Sequence, residues 1–280
     1  RIATRMPFYL KSETSLVALA EQADPRQFWE QLGAAVERSS TGSVVLLVHG
    51  YNYGFERTCR MTAEMQRSLR GQATVVAFSW PSNGLPSDYL SDQSDIEWSV
   101  PLLAGTIKQL SDQFGQVNVR VVAHSLGSRG VIFALQRLAE ETPARPVIDK
   151  LVLLAPDFDA QTFVELLPGL QYLAGGITLY ASDKDAPLKL SHRLSGYPRL
   201  GEAGEYLTLA EGLDTVDVSS LGRYQFTGHE YFYFHPAVVA DLKALLGSGQ
   251  PAAQRAGLRS RQREGRRYWQ LGFATQKQDS

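Results

Sequence analysis

Ser125 stands in the run Ala123-His124-Ser125-Leu126-Gly127, directly after a β-branched stretch and directly before a stretch with helical spacing. A serine hydroxyl in such a place is a nucleophile only if a base takes its proton, and the base must in turn be oriented by a third group. The sequence offers five histidines as bases: His49, His124, His192, His229 and His235. As the orienting acid it offers Asp157, Asp183 and Asp185, each soon after a strand-like run. The chemistry implied is attack on a carbonyl by serine, relayed by imidazole and carboxylate, in the chain order Ser, Asp, His. No cofactor or metal is needed for such a reaction.

The elements that must position these groups alternate between two periods. Short β-branched runs predict buried strands at Ser43–Gly50, Ala73–Trp80, Asn118–Ser125, Ile148–Asp157, Gly176–Asp183 and Leu213–Ser220. Helical spacing covers Phe55 to a stopping Gly71, roughly Ile96–Phe114, Gly127–Glu141, Pro187–Leu194 and Pro236–Leu246, and Asp24-Pro25 opens another helix reaching about Glu37. Strand and helix repeated in this way predict an α/β fold with a mostly parallel sheet and helices on both faces. In such sheets ligands gather at the carboxyl ends of the strands. Those ends carry His49-Gly50-Tyr51-Asn52, Trp80-Pro81, Ser125, Asp157, Asp183 with Asp185, and, beyond the last strand, Gly228-His229-Glu230.

Composition narrows the class. The 280 residues are 44% hydrophobic and 20% charged, which excludes a disordered, collagen-like or coiled-coil chain. No run approaches the ~18 apolar residues of a membrane span. The lone Cys59 makes neither an intramolecular disulfide nor, by itself, a zinc site. Net charge is −1, but residues 250–280 hold seven Lys or Arg against two acids. The domain is therefore expected over 1–249, with 250–280 as a basic, solvated tail. Contact of that tail with a membrane is the weaker reading, and no nucleic-acid partner is expected. The chain opens on RIATRMPFYL, without a Met start or an apolar signal core. A cytoplasmic location is expected if the chain is complete, and an exported or lipid-anchored one if a leader has been removed.

The segment around Ser125 resembles the nucleophile elbow of the α/β-hydrolase superfamily, with Ala123 in place of the usual first Gly and Gly127 in place. The resemblance implies a Ser-Asp-His triad. His229 lies after the last strand and before the closing helix, where the superfamily places its histidine, with His235 as the rival. His49 and His124 are expected to brace the neighbouring turns through hydrogen bonds, and His192 to lie on a helix face. Asp185 fits the usual acid position after the fifth strand. Asp157 is an alternative that would otherwise brace the loop of Asp159, and Asp183 is another that would otherwise cap the next helix. The oxyanion hole is expected from the backbone N–H groups of Tyr51 and Leu126, with Asn52 pinning the first of these turns.

HGYNYGFERT, FSWPSNG, AHSLGSRGVIFAL, LLAPDFDAQTF, YASDKDAPLKLSHRLSGYPRLGE and GHEYFYFHPAVVADL, in this order, resemble a bacterial α/β-hydrolase family of unknown function whose members carry His-Gly-Tyr-Asn. In that pattern Asp185 aligns with the acid and His229 with the base, while Pro187 departs from the usual small residue. The expected activity is hydrolysis of small-molecule carboxylic esters with short to medium acyl chains. An acyltransferase or peptidase with the same triad, or a silent binding module on the same fold, are the alternatives. About 44 residues separate Asp185 from His229, which leaves no room for a large cap, though Pro81–Asp95 is long enough for a small flap. Tyr53, Trp80, Phe158 and Tyr231, with Tyr51, Tyr89 and Phe163, are the aromatic candidates for a substrate pocket.

Overall fold

A computed structural model of the chain describes residues 25–82, 88–141, 145–223 and 227–272. Its centre is an eight-stranded sheet. The strands are β1 (Ser43–Val48), β2 (Ala73–Phe78), β3 (Val119–His124), β4 (Lys150–Leu154), β5 (Ile177–Ala181), β6 (Leu213–Asp217), β7 (Leu258–Arg263) and β8 (Arg266–Leu271), in the order β2-β1-β3-β4-β5-β6-β8-β7. All neighbours pair in parallel except the β7–β8 hairpin. Every residue of β1 and β3 is buried, as a parallel strand covered on both faces must be.

Alternate residues of β1 feed two separate cores. Val44, Leu46 and Val48 pack with α1 (Pro25–Arg38), α3 (Tyr89–Trp98), α4 (Val100–Phe114), α5 (Gly127–Glu141) and α6 (Ala160–Leu173). Val45 and Leu47 pack on the opposite side with α2 (Phe55–Leu69), α7 (Ala186–Ser195), α8 (Tyr231–Phe234) and α9 (Pro236–Ser248). On α2 the facing residues Met61, Met65 and Leu69 recur every four positions, which keeps them on one side of the helix. Among the described residues, no helix is long and apolar enough to cross a membrane.

Three elements differ from the sequence expectation. The helical spacing over Ile96–Phe114 is two helices, broken at Ser99 and restarted with Pro101 in the first turn of α4. Helix α3 also takes up Tyr89–Asp95 of the expected flap, while residues 83–87 lie outside the described residues. Helix α6 was hidden by Pro168 in its interior; the Asp159 carboxylate caps it by accepting from the Thr162 N–H at 2.7 Å.

The largest correction concerns the basic stretch. Residues 258–271 are not a solvated tail but a hairpin that extends the sheet beyond β6. Its turn, Glu264-Gly265, has positive φ at both residues (53° and 75°), the geometry that matches the twist of paired strands. Trp269 and Leu271 point into the core, and the Trp269 indole donates to Asp214 at 3.0 Å. Arg263 and Arg266 donate to backbone carbonyls of Gly204 and Leu209, both at 2.6 Å, so part of the basic charge fastens the hairpin to the loop that precedes β6. Upstream, Arg255 is fully buried against Asp241 of α9 at 2.8 Å, with Tyr180 of β5 at 2.9 Å.

Candidate active site

Ser125 follows β3 directly and has φ +50°, a left-handed conformation that costs a side-chain-bearing residue about 1–2 kcal/mol. Backbone bonds hold it there. Its N–H donates to Leu154 of β4 at 3.0 Å, and its carbonyl accepts from the N–H groups of Ser128 and Asp157, each at 3.1 Å. The small residues of the elbow act by close approach. A Cβ on Gly127 would lie 2.2 Å from the His49 carbonyl oxygen, and one on Gly130 would lie 2.6 Å from Ile96. Gly50 does the same from the other side, since its Cβ would fall 2.8 Å from the Cβ of Ser125.

The Leu126 N–H, at the start of α5, has no acceptor among the described residues. Tyr51 and Asn52 form the facing turn after β1. Asn52 pins it through its backbone rather than its side chain: its N–H donates to Ser82 Oγ at 3.0 Å and its carbonyl accepts from Arg57 at 3.3 Å. Tyr51 is half-buried, its ring edge-on to Tyr89 at 5.5 Å.

Asp185 and His229 meet. Asp185 is fully buried at the start of α7, where one carboxylate oxygen caps the helix by accepting from the Leu188 N–H at 3.0 Å. The other oxygen lies 2.6 Å from His229 Nδ1. A carboxylate only accepts, so Nδ1 carries the proton, and in the neutral ring Nε2 keeps its lone pair. Gly228, at φ +69°, makes the meeting possible: a Cβ there would lie 2.4 Å from the Lys184 carbonyl oxygen. The His229 ring sits 4.8 Å from that of His124, the residue immediately before Ser125. Burial pulls the His229 ring down, but the charge and hydrogen bond of Asp185 outweigh it and hold the ring above the ordinary histidine range.

The rival residues are committed elsewhere. Asp157 accepts from Tyr89 Oη at 2.6 Å, Ser191 Oγ at 2.7 Å and Arg199 Nε at 2.7 Å, and thus ties α3, α7 and the loop after α7 together; because Arg199 forms a backbone bridge with Asp159, it also braces the loop of Asp159. Asp183 pairs with Lys184 at 3.1 Å; the helix cap is Asp185. His235 caps α9 by accepting from the Ala237 N–H at 3.2 Å, and His192 pairs with Glu202 at 2.9 Å. His49 does brace its turn, with Nδ1 at 2.9 Å from the Gly50 carbonyl, and burial depresses its pKa to about 4. His124 does not: neither ring nitrogen has a hydrogen-bond partner, and the ring packs among Tyr53, Phe232 and His229.

The expected pocket aromatics are also corrected. Tyr53, Trp80, Phe158 and Tyr231 are at most 3% exposed, because each is more strongly drawn into the core than toward an opening. Their polar ends are spent on the frame: Trp80 donates to the His49 carbonyl at 2.7 Å and Tyr231 to the Tyr180 carbonyl at 3.1 Å. Phe163 is fully buried. Tyr51 and Tyr89 are half-buried and pack edge to face on each other. A cavity of about 450 Å³ lies beside α7, lined by His192, Arg193 and Tyr206 among others, with none of Ser125, Asp185 or His229 in its wall. No group of three metal-ligating side chains occurs among the described residues. Sequence reading missed Glu230, Arg57 and Tyr53 as a joined group, because their bonds cross more than 170 positions of chain.

Residues 24–248 match the family described as "Alpha/beta hydrolase of unknown function (DUF900)". The match covers most of the chain, which therefore belongs to this family and has the α/β-hydrolase fold. It is similar to the uncharacterized protein alr1448 of Nostoc sp. (strain PCC 7120), 35% identical over 78 residues. That likeness covers 28% of this chain and 20% of the Nostoc protein, so the chain spans about a fifth of that relative's length. Among solved structures, Aspergillus fumigatus lipase B is similar with a TM-score of 0.47 and 16% identity, over 75% of this chain and 53% of that one. An esterase of Pyrobaculum calidifontis is similar at 0.42 and 12%, over 74% and 77%.

Proposed function

We propose that the protein hydrolyses carboxylic esters, with Ser125 as nucleophile, His229 as general base and acid, and Asp185 as the orienting acid. The observation that carries this reading is the 2.6 Å bond from His229 Nδ1 to the buried Asp185, with the His229 ring 4.8 Å from that of His124, which directly precedes a serine at φ +50°. In that tautomer Nε2 is the free base. Ser125 Oγ attacks the ester carbonyl as its proton passes to Nε2, and the carbonyl π pair moves onto oxygen, where the N–H groups of Tyr51 and Leu126 receive it. Collapse expels the alcohol, which takes the proton from His229. Water then attacks the acyl-enzyme by the same route, releasing the acid and restoring Ser125.

A preference for short to medium acyl chains follows from the short connections that carry the triad. The stretch between Asp185 and His229 is consumed by α7, β6 and their connections, and that after Asp157 by α6. Among the described residues neither forms a cap.

The test is hydrolysis of p-nitrophenyl esters from acetate to palmitate by the wild type and Ser125→Ala. The expected result is activity that peaks at short chains and falls roughly 10⁴- to 10⁶-fold in the variant. Faster turnover of palmitate than butyrate would refute the chain-length preference, and activity that survives in Ser125→Ala would refute the mechanism.

A further inference from the structure

Glu230 follows His229 directly, and its carboxylate is bonded by Tyr53 and Arg57, which follow the turn after β1. Tyr53 Oη donates to Glu230 Oε1 at 2.6 Å, and the Arg57 guanidinium donates to the same oxygen. Arg57, in the first turn of α2, places its guanidinium over the Tyr53 ring, 3.8 Å from its centre, and reaches the Asn52 carbonyl at 3.3 Å. Tyr53 packs in turn on His124 at 5.6 Å, and His124 on His229 at 4.8 Å. The contacts close a ring: Glu230, Tyr53, His124, His229 and back to Glu230 through one peptide bond.

We propose that Glu230, held by Arg57 and Tyr53, is a positioning residue that fixes the His229 loop against the Tyr51–Asn52 turn. The inference rests on the hydrolase reading of Ser125, Asp185 and His229. Both parts of the machinery that must face the ester are loops: one delivers the base and the other an oxyanion donor. Before His229, the loop is fastened by the Ala186 N–H donating to the Thr227 carbonyl at 3.0 Å. After His229, the Glu230 carboxylate is its bond to the turn after β1.

An exposed ion pair contributes little to anything. This one differs in having a second donor, Tyr53, that is 3% exposed and would lose its acceptor if Glu230 were removed. Arginine suits the place because its planar group stacks on the ring and still directs separate N–H donors to Glu230 and Asn52, which lysine's compact ammonium does not. Glu230 also acts on His229 by charge. The ionisable groups facing that ring are Asp185, Glu230, Asp157 and, in ring contact, His124.

The experiment uses the full chain with Glu230→Ala, Glu230→Gln, Arg57→Ala and the double Arg57→Ala/Glu230→Ala. Hydrolysis of p-nitrophenyl butyrate is followed against pH, and the His229 ring is titrated by NMR in a Ser125→Ala background. Glu230→Ala is expected to lower kcat 10- to 100-fold with KM changed less than threefold. Glu230→Gln keeps the acceptor and restores most of kcat. The double variant is no slower than the slower single one, because both remove one strap. Loss of the negative charge moves the acid limb, and the NMR titration of His229, to lower pH in both Glu230 variants.

Wild-type kcat in Glu230→Ala, or losses that multiply in the double variant, would overturn the proposal. So would a His229 titration unchanged by Glu230→Gln. Full activity in Ser125→Ala would instead overturn the hydrolase reading; the ring titration, which needs no serine, then decides the role of Glu230 by itself.

Discussion

Asp185→Asn separates the two jobs of one carboxylate. Its first oxygen caps α7 and its second takes the proton of His229 Nδ1. Asparagine is as good a helix cap as aspartate, so the first job survives. The second is reversed, because the amide NH₂ now faces Nδ1 and favours the tautomer with the proton on Nε2, where the serine needs a base. The expected cost is on the order of 10⁴ in kcat, or ~5.5 kcal/mol of transition-state stabilisation. Burial already disfavours the Asp185 charge and raises its pKa, with His229 and the Leu188 N–H offsetting part of that, so a neutral side chain there leaves stability within ~1 kcal/mol. Without the carboxylate the main upward pull on the His229 ring against burial is lost, leaving only the charges of Glu230 and Asp157, and the acid limb of the residual activity moves to lower pH. Asp185→Ala loses the cap as well and melts lower by about 2–4 °C. Asp157→Asn behaves in the opposite way: it leaves Arg199 buried without its charge partner, costs ~3–5 kcal/mol of stability and keeps turnover within a few-fold. Kinetics on p-nitrophenyl butyrate and thermal melts of the three variants are the assay. Asp185→Asn turning over within tenfold of wild type, with Asp157→Asn inactive but folded, would refute the assignment of the acid.

Ser125→Gly and Ser125→Ala are both expected to be inactive. The glycine variant should melt about 2–4 °C above the alanine variant, since φ +50° suits glycine; equal melting temperatures would mean the elbow carries no strain. His49 is buried neutral with its pKa lowered to about 4, so the unfolded chain takes up a proton between pH 6.5 and 4 that the folded one refuses. That stability is complete above pH 6.5 and falls by up to roughly 3 kcal/mol as the pH drops to 4. The stability difference between wild type and His49→Asn, from urea melts, should therefore shrink as pH falls from 7.5 to 4.5; a constant difference refutes it. Arg255→Ala leaves the buried Asp241 unpaired and should cost ~3–5 kcal/mol, with part recovered in Arg255→Met/Asp241→Asn; a melt unchanged in Arg255→Ala would show that the pair contributes nothing.

The sequence by itself determined the parallel sheet, the elbow and the choice of ends at which chemistry gathers. Those follow from local facts: β-branched runs bury on both faces, and helical spacing starts again after Ser125. Within each strand the bounds hold to within a few residues, as in Ser43–Val48. Helix α6 escaped because a proline sits inside it, and the hairpin of residues 258–271 because charge density hid its two inward residues, Trp269 and Leu271. What only the tertiary structure decided is which groups share a partner. Asp157, Asp183 and Asp185 are equivalent as residue types after strands; one is taken by Arg199, one by Lys184, and the third is left to His229. Four aromatic side chains that could line a pocket are instead buried. Pairing across 44 positions in the Asp185–His229 bond, and across 173 in the Arg57–Glu230 bond, depends on how loops lie over a finished sheet. A local pattern fixes the direction in which a chain segment runs and which face it buries. It does not fix which of several carboxylates a distant ring will meet, because that is set by the packing of the helices between them.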